Sequence, residues 1–114
     1  MARYIHLPIY KKSYDLLIEI FKITKEFTRE YKYTIGEKLK DETMELIMQI
    51  YRANNQKNKG KNLEIILEKI LVIELLIRLS RDIRVLSLKK YTRVIQITDE
   101  IARQTQGWLK SQSG

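Results

Sequence analysis

Apolar residues recur three or four positions apart through most of this chain, which is the spacing of one face of an α-helix. No segment alternates as a half-buried strand does, and no internal repeat is visible. The connections between the periodic segments are short, so consecutive helices are expected to pack in opposite directions. We predict an all-α, antiparallel up-down-up-down four-helix bundle, a single domain over residues 1–114 with helices at about 8–30, 35–54, 63–86 and 88–106.

The third predicted helix has the strongest apolar character of the four. Residues 63–86 read LEIILEKILVIELLIRLSRDIRVL, without Gly or Pro, and span roughly 36 Å at about 1.5 Å per residue. Charged residues occupy one arc of this helix. The opposite arc predicts a core stripe of Ile65, Val72, Ile73, Leu76, Ile77, Leu79 and Ile83.

Three leucines, Leu67, Leu71 and Leu75, share the charged arc of the third helix. A surface helix of a monomer does not need a second apolar row, so we predict that these leucines form an oligomer interface with another subunit. The alternative is that the whole helix is buried among its own neighbours. Met44 and Met48 widen the apolar side of the second helix and indicate an additional contact there.

Local signals predict where the helices begin and end. Pro8 suits the first turn of the first helix, after a short arm at residues 1–7. Thr34 and Glu37 have the spacing of a capping box at the start of the second helix. Ser87 is a predicted N-cap of the fourth helix, which Gly107 is expected to end.

Aromatic residues recur on the first helix, where Tyr10 and Tyr14 are four positions apart. They have the shape to stack on nucleic-acid bases, but aromatics at this spacing favour a core role.

Trp108, near the end of the fourth helix, is interpreted as a cap on the end of the bundle. The inward-facing positions of the fourth helix are predicted to be Leu88, Tyr91, Val94, Ile95, Ile101 and Ala102.

Composition narrows the class of protein. Hydrophobic residues make up 44 % and charged residues 32 % of the 114 positions, as in a globular domain. The chain has no Cys, which is compatible with a reducing cytoplasm, and we expect a cytoplasmic protein. The first ten residues lack the apolar run of a signal peptide. Glu74 and Arg78 interrupt the most apolar stretch, so no membrane span is expected.

The net charge of +8 is concentrated in the second half of the chain, which carries 12 Lys and Arg against 6 Asp and Glu. Such an excess is typical of proteins that bind polyanions, although a solubilising surface has the same composition. Six cations fall within 16 residues, with Asp82 the single acid among them. This predicts a sequence-independent nucleic-acid site at Arg78, Arg81, Arg84, Lys89, Lys90 and Arg93.

For part of this cluster, ion pairs within the same helix are an alternative to binding nucleic acid. Arg78 is four residues from both Glu74 and Asp82, so it is expected to pair within its own helix, and Arg84 lies nearer the core side. A secondary basic loop, at Lys57, Lys59 and Lys61, is also able to contact phosphates. A solvated connection between two helices has the same composition and is the favoured interpretation of that loop.

No constellation of residues indicates catalysis. His6 is the lone histidine, and a metal site, a cofactor site or a small-molecule substrate site is not expected. Acidic residues Glu37, Asp41, Glu42 and Glu45 cluster on the second helix with Lys38 and Lys40 among them, as on a solvated face. We therefore predict that the chain is not an enzyme.

Five stretches together resemble the accessory variability determinant proteins of diversity-generating retroelements: LPIYKKSYDLLIEIFKITKEF, REYKYTIGEKLKDET, IYRANN, SLKKY and GWLKS. Each is weak alone, but their order and spacing cover nearly the whole chain. The wider family includes four-helix proteins encoded within ribosomal RNA genes, which usually carry a Ser-Ile-Pro-x-Asn-like segment in helix two. Residues 45–48 here read ELIM, without proline, which favours the retroelement branch.

This resemblance implies a four-helix bundle whose subunits form a homopentamer, a ring with a basic surface. It implies partners, namely the reverse transcriptase of the retroelement and its template RNA or an RNA/DNA hybrid. The protein would support error-prone cDNA synthesis, and thus mutagenic homing, without catalysing a reaction. Two alternatives stay open at this point: a ribosomal-RNA-associated bundle, and a structural adaptor that binds only protein.

Overall fold

A computed structural model describes residues 6–113 of the chain, so the predicted arm at residues 1–7 begins outside the described part. Four principal helices account for most of it: α1 (Pro8–Lys25), α2 (Glu37–Asn54), α3 (Gly60–Asp82) and α4 (Leu88–Ser113). A one-turn helix, Arg29–Tyr31, and a π-helical segment, Lys32–Gly36, lead into α2. The described residues contain no strand, which confirms the all-α prediction.

The four helices form a rod of 44 × 20 × 20 Å in which each helix packs against two others. Side-chain contacts across neighbouring helices fix their directions. Glu42 and Gln49 of α2 bond to Lys69 and Asn62 of α3, so the residue numbers run in opposite senses along this pair. α1 and α4 are antiparallel by the same criterion, and the helix order around the rod is α1, α2, α3, α4.

The core lies along the axis of the rod and is almost entirely aliphatic. Each helix contributes residues at three- and four-residue spacing, because only that spacing keeps side chains on one helical face. The fully buried large side chains are Leu16, Ile20 and Ile23 of α1, Leu39, Leu46 and Ile50 of α2, Leu63, Ile66, Ile73 and Ile77 of α3, and Val94 and Ile101 of α4.

The first connection differs from the prediction. α1 ends at Lys25 rather than near residue 30, because Phe27 turns into the core and Thr28 adopts extended backbone. The capping box predicted at Thr34 and Glu37 is wrong. The hydroxyl of Thr34 donates to the carbonyl of Glu30 at 3.0 Å, since both residues belong to continuous helical backbone. Helical backbone therefore begins at Arg29, before α2, and residue 35 is not the first residue of a helix.

The α3–α4 connection contains a Schellman motif, in which amide groups beyond a helix satisfy its last carbonyls. The amide of Val85 donates to Ser80 and that of Arg84 to Arg81, each at 3.0 Å. Arg84 has φ 66°, the left-handed conformation for which glycine is usually required at this position. The predicted N-cap is confirmed next to it: Ser87 Oγ accepts the Lys90 amide at 3.2 Å.

Helix α4 continues beyond its predicted end. Gly107 lies within the helix rather than after it, and a Cβ built there meets nothing within 4 Å. The extra turns bring half-buried Trp108 and Leu109 against the core. Their burial offsets the weak helix propensity of Gly107. From the sequence pattern alone, this glycine was predicted to end the helix. Leu88, predicted to face inward, is instead exposed at the first turn of α4.

The predicted core stripe of α3 was wrong by roughly a quarter turn. Of its seven members only Ile73 and Ile77 are buried, and Leu79 is exposed. The residues that actually fill the core are Leu63, Ile66, Ile70, Ile73 and Ile77. Apolar residues occupy so much of the circumference of α3 that periodicity does not determine which arc faces inward.

Two unlike apolar surfaces remain exposed on the rod. The α3 leucine strip consists of Leu71, Leu75 and Leu79. The α1–α2 apolar face is our name for the exposed apolar residues of these two helices: Tyr14, Ile18 and Phe21 of α1, and Met44, Met48 and Tyr51 of α2. Tyr14 and Ile18 also line a depression between α1 and α4. The Lys40 ammonium lies 5.1 Å from the centre of the Phe21 ring. Tyr14 is thus a surface residue rather than a core one, whereas Tyr10 is half-buried. None of the helices within residues 6–113 combines the length and the hydrophobicity that a membrane-spanning segment requires.

Candidate nucleic-acid interface

The first two turns of α4 and the last two turns of α1 place cations on both sides of one groove. Ser87 caps α4, so the cluster Lys89, Lys90 and Arg93 starts at a defined position. Lys22 and Lys25 lie opposite on α1, because α1 and α4 are antiparallel neighbours. We call these five residues and the space between them the basic groove.

Two ion pairs cross the basic groove. Nε of Arg93 donates to Oε1 of Glu19 at 3.0 Å, and Nζ of Lys90 donates to a carboxylate oxygen of Glu26. Glu19 is largely buried, with 11 % of its side chain exposed, whereas 67 % of the Arg93 side chain is exposed. The hydrogen bond from Lys90 and its positive charge lower the pKa of the Glu26 carboxyl below the ordinary value.

Open depressions follow the line of the groove. One, of about 830 Å³, lies between Lys22 of α1 and Lys89, Lys90 and Arg93 of α4, and exposed Leu88 lines it as well. A second, of about 510 Å³, is lined by Lys22, Lys25 and Lys90. The two share Glu19, Lys22 and Lys90, so they form one continuous trough that carries more positive than negative charge.

The predicted six-residue cluster is divided in the structure. Lys89, Lys90 and Arg93 line the basic groove, whereas Arg78, Arg81 and Arg84 line neither depression. Arg81 bonds to Asp82 at 2.9 Å and its guanidinium lies 4.4 Å from the ring centre of Tyr91. Such pairing and stacking reduce its availability to a phosphate.

The pairing predicted for Arg78 is not observed. Asp82 binds Arg81 instead, and Glu74 accepts a hydrogen bond from Thr98 of α4 at 2.7 Å. Arg84 is exposed, which corrects the expectation that it lies nearer the core side. It projects from the α3–α4 connection, where its backbone occupies the glycine position of the Schellman motif.

The secondary basic loop is shorter than predicted, since α3 already begins at Gly60. Lys57 is exposed in the connection, Lys61 is exposed on the first turn of α3, and Lys59 caps that helix. The Lys59 ammonium binds the carbonyl of Gln56 and lies 6.0 Å from the ring centre of Trp108. The three lysines are therefore not equivalent, and Lys59 has a structural role at this end of the bundle.

Sequence reasoning missed Lys22 and Lys25. They are separated from Lys89 by more than 60 positions, and acids on the same helix, Asp15 and Glu19, reduce the net charge of α1 to +2. The detectable signal was the pattern Glu19–Lys22–Lys25–Glu26 along one side of α1, opposite a predicted antiparallel fourth helix. Which of these α1 side chains face the cations of α4 depends on the rotation of each helix about its own axis, and the sequence pattern does not give that rotation.

The predicted oligomer interface is exposed in large part. Leu71 and Leu75 are 66 % and 65 % exposed, whereas Leu67 is half-buried. Leu79, placed by prediction in the core stripe, extends the same exposed row. Within the described residues no group of three His, Cys, Asp or Glu side chains is arranged to hold a metal ion.

Comparison with known protein families gives a match over nearly the whole chain. The family model described as bAvd-like matches residues 7–112. No curated protein matches the chain significantly.

Proposed function

This chain belongs to the bAvd-like family of Avd-type proteins, and on that premise we propose that it is a non-catalytic accessory protein of a diversity-generating retroelement. It would bind the reverse transcriptase and the template RNA, and support the error-prone cDNA synthesis that precedes mutagenic homing. The observation that carries this proposal, beside the family, is the basic groove, where cations from two helices meet along one trough.

A basic groove of this kind suits a polymerase accessory role because phosphate contacts hold a nucleic acid without selecting its sequence. A template that is copied along its length must be released and rebound at many positions, and contacts independent of sequence allow this. The protein contributes positioning in this proposal, while the chemistry of nucleotide addition belongs to the reverse transcriptase.

We propose further that the chain acts as a homopentameric ring. Exposed large apolar residues occur on two unlike surfaces, the α3 leucine strip and the α1–α2 apolar face, which supports head-to-tail contacts between copies. A ring also multiplies one short groove into several, which strengthens the hold on a long strand.

Assembly is tested by measuring the mass of the purified protein in solution. A homopentameric ring has five times the monomer mass of 13.7 kDa at micromolar concentration, and Leu71→Lys with Leu75→Lys reduces the mass to that of a monomer. Arg78→Lys, a conservative change at an exposed position of the same helix, is the control and should leave the mass of the assembly unchanged. A wild-type protein that remains a monomer excludes the ring.

The accessory role is tested by reconstituting cDNA synthesis from the cognate reverse transcriptase and template RNA, with and without this protein. We expect cDNA of the template region only when the protein is present, and no synthesis from the protein alone. Co-purification with the reverse transcriptase, with nuclease added, separates a protein contact from a bridge made by RNA. Equal cDNA yield without the protein contradicts the proposal.

A protein-only adaptor is the second candidate, favoured by one observation. Three of the predicted cations, Arg81, Lys90 and Arg93, already pair with acids of their own chain. Titration of the protein with unrelated RNA and DNA across a salt series separates the two candidates. An adaptor shows almost no binding, whereas a ribosomal-RNA-associated bundle binds ribosomal RNA in preference to the retroelement template.

A further inference from the structure

We infer that the basic groove between α1 and α4 holds a single, unpaired strand of RNA, with Leu88 providing an apolar surface for a base. This inference rests on the proposed function and adds the class of nucleic acid and the residues that contact it. The basic groove, which includes Lys22 and Lys25, replaces the six-residue cluster predicted from the sequence as the surface that contacts phosphates.

The arrangement of charge supports a strand that runs along the groove. Lys22 and Lys25 form one wall, and Lys89, Lys90 and Arg93 form the other, so a chain of phosphates between them meets cations from both sides. The α4 wall from Leu88 to Gln96 is about 12 Å long at 1.5 Å per residue. This length corresponds to about three or four stacked nucleotides at 3.4 Å each.

The shape of the groove suits a phosphate backbone. α1 and α4 pack directly against each other, so their side chains fill the space between the two helix axes and the groove is a trough at the surface. One chain of phosphates that lies in this trough meets the cations of both walls.

Leu88 is the feature that favours an unpaired strand over a duplex. It is 67 % exposed at the first turn of α4 and lines the same depression as Lys89 and Lys90. The face of an unpaired base can pack on this apolar side chain while Lys89 and Lys90 bind the neighbouring phosphates, in the place that aromatic side chains occupy in many single-strand sites. In a duplex the faces of the bases are stacked on one another and do not reach such a side chain.

The acids of the groove are compatible with this occupant. Glu19 uses only Nε of Arg93, and a guanidinium has five N–H donors, so four remain for a phosphate. Glu19 is therefore a positioning residue, which holds the exposed Arg93 side chain beside the groove. Glu26 is exposed, and a phosphate is expected to replace it at Lys90 without burying an unpaired carboxylate.

The test compares the affinity of the full-length protein for a labelled, unstructured 20-nucleotide RNA and for the same RNA paired with its complement. Lys22→Gln with Lys89→Gln removes one charge from each wall. Lys57→Gln with Lys61→Gln removes the same charge from exposed positions outside the groove. Both double variants are first compared with the wild type by thermal unfolding.

We expect the wild type to bind the single strand at least tenfold more tightly than the duplex. The groove variant should lose about tenfold in affinity, and the slope of log K against log salt should fall by about 1.4, or 0.7 for each lost contact. The control variant should keep most of the affinity for RNA and most of the salt dependence of the wild type. Leu88→Ala should weaken binding of the RNA severalfold without changing the binding of inorganic polyphosphate, which has no bases.

Each other result has a definite meaning. Equal or tighter binding of the duplex overturns the single-strand inference. Equal losses in the groove and control variants overturn the assignment to the groove while leaving the proposed function intact. Complete absence of RNA binding by the wild type overturns the proposed RNA-binding function itself.

Discussion

Nε of Arg93 lies 3.0 Å from Oε1 of Glu19, so a largely buried carboxylate on α1 is neutralised by a largely exposed guanidinium on α4. The two partners are therefore unequal. Removing the arginine leaves a carboxylate that water reaches poorly, whereas removing the acid leaves a cation that is well solvated. This difference determines which residues are useful as probes of the groove.

The first prediction follows from that inequality. Arg93→Ala should lower the free energy of unfolding by about 1–3 kcal/mol, because Glu19 is left without its charged partner. Glu19→Gln should cost about 1 kcal/mol or less, since the amide oxygen still accepts from Nε. Urea unfolding of both variants measures the difference, and a larger loss for Glu19→Gln would contradict it. Arg93 is accordingly a poor probe of RNA binding, unlike the exposed lysines.

The second prediction concerns the left-handed backbone at Arg84. Arg84→Gly should raise the free energy of unfolding by about 0.5–1 kcal/mol, because glycine adopts φ 66° without the steric cost of a Cβ. Arg84→Ala removes the same side chain and keeps the Cβ, so it should bring no gain. Thermal unfolding of the two variants in parallel provides the measurement. If they are equally stable, the backbone at this position is not strained.

The third prediction concerns Gly107 within α4. Gly107→Ala should stabilise the protein by about 0.8–1 kcal/mol, because an added Cβ meets nothing within 4 Å and alanine is the better helix former. Gly60→Ala, at the first residue of α3, is the matched control and should gain less. Circular dichroism during urea unfolding measures both. A loss of stability at Gly107 would show that the helix ends earlier.

The fourth prediction concerns buried hydroxyl groups. Within the described residues, Ser13 Oγ is the buried side-chain atom that lacks a hydrogen-bond partner, whereas buried Ser80 donates to the Leu76 carbonyl at 2.7 Å. Ser13→Ala should therefore be more stabilising than Ser80→Ala by about 1 kcal/mol. Both changes bring the same gain in helix propensity, so their difference isolates the hydrogen bond. Identical effects would mean that the Ser13 hydroxyl is satisfied in solution.

The fifth prediction concerns pH. Lys90 lowers the pKa of Glu26 below its ordinary value of 4.5. A carboxyl whose pKa is lower in the folded state stabilises the fold above the unfolded pKa, and this contribution is lost as the pH falls through the folded value. The melting temperature of the wild type should thus decrease more between about pH 5 and pH 3 than that of Glu26→Gln. Parallel curves for the two proteins would exclude the coupling.

Much of the fold is predictable from residue spacing because three of the helices have well-separated apolar and polar arcs. Val94 and Ile101 were predicted on the inward face of the fourth helix, and they are buried. Prediction failed on α3, where apolar residues surround the helix and burial depends on neighbours that the sequence does not specify. Leu88 was likewise assigned inward from spacing alone, although it lies on the first turn of its helix, where the bundle no longer covers it.

The candidate site was only half predictable for a different reason. Lys89, Lys90 and Arg93 are close in sequence, so their density was visible as a cluster. Lys22 and Lys25 join them through the packing of α1 against α4, which depends on helix rotation. Arg81 was predicted as a free cation, but its stacking on Tyr91 requires a contact between two helices, and local charge density carries no information about such contacts.

Under the proposed head-to-tail assembly, the presence of two unlike apolar surfaces on one rod makes each copy directional. A copy altered at Leu71 and Leu75 retains the α1–α2 apolar face, so it is still able to accept a normal neighbour on one side while offering nothing on the other. Small amounts of such a protein would terminate growing assemblies before closure, and a minority of defective chains would inactivate a majority of intact ones.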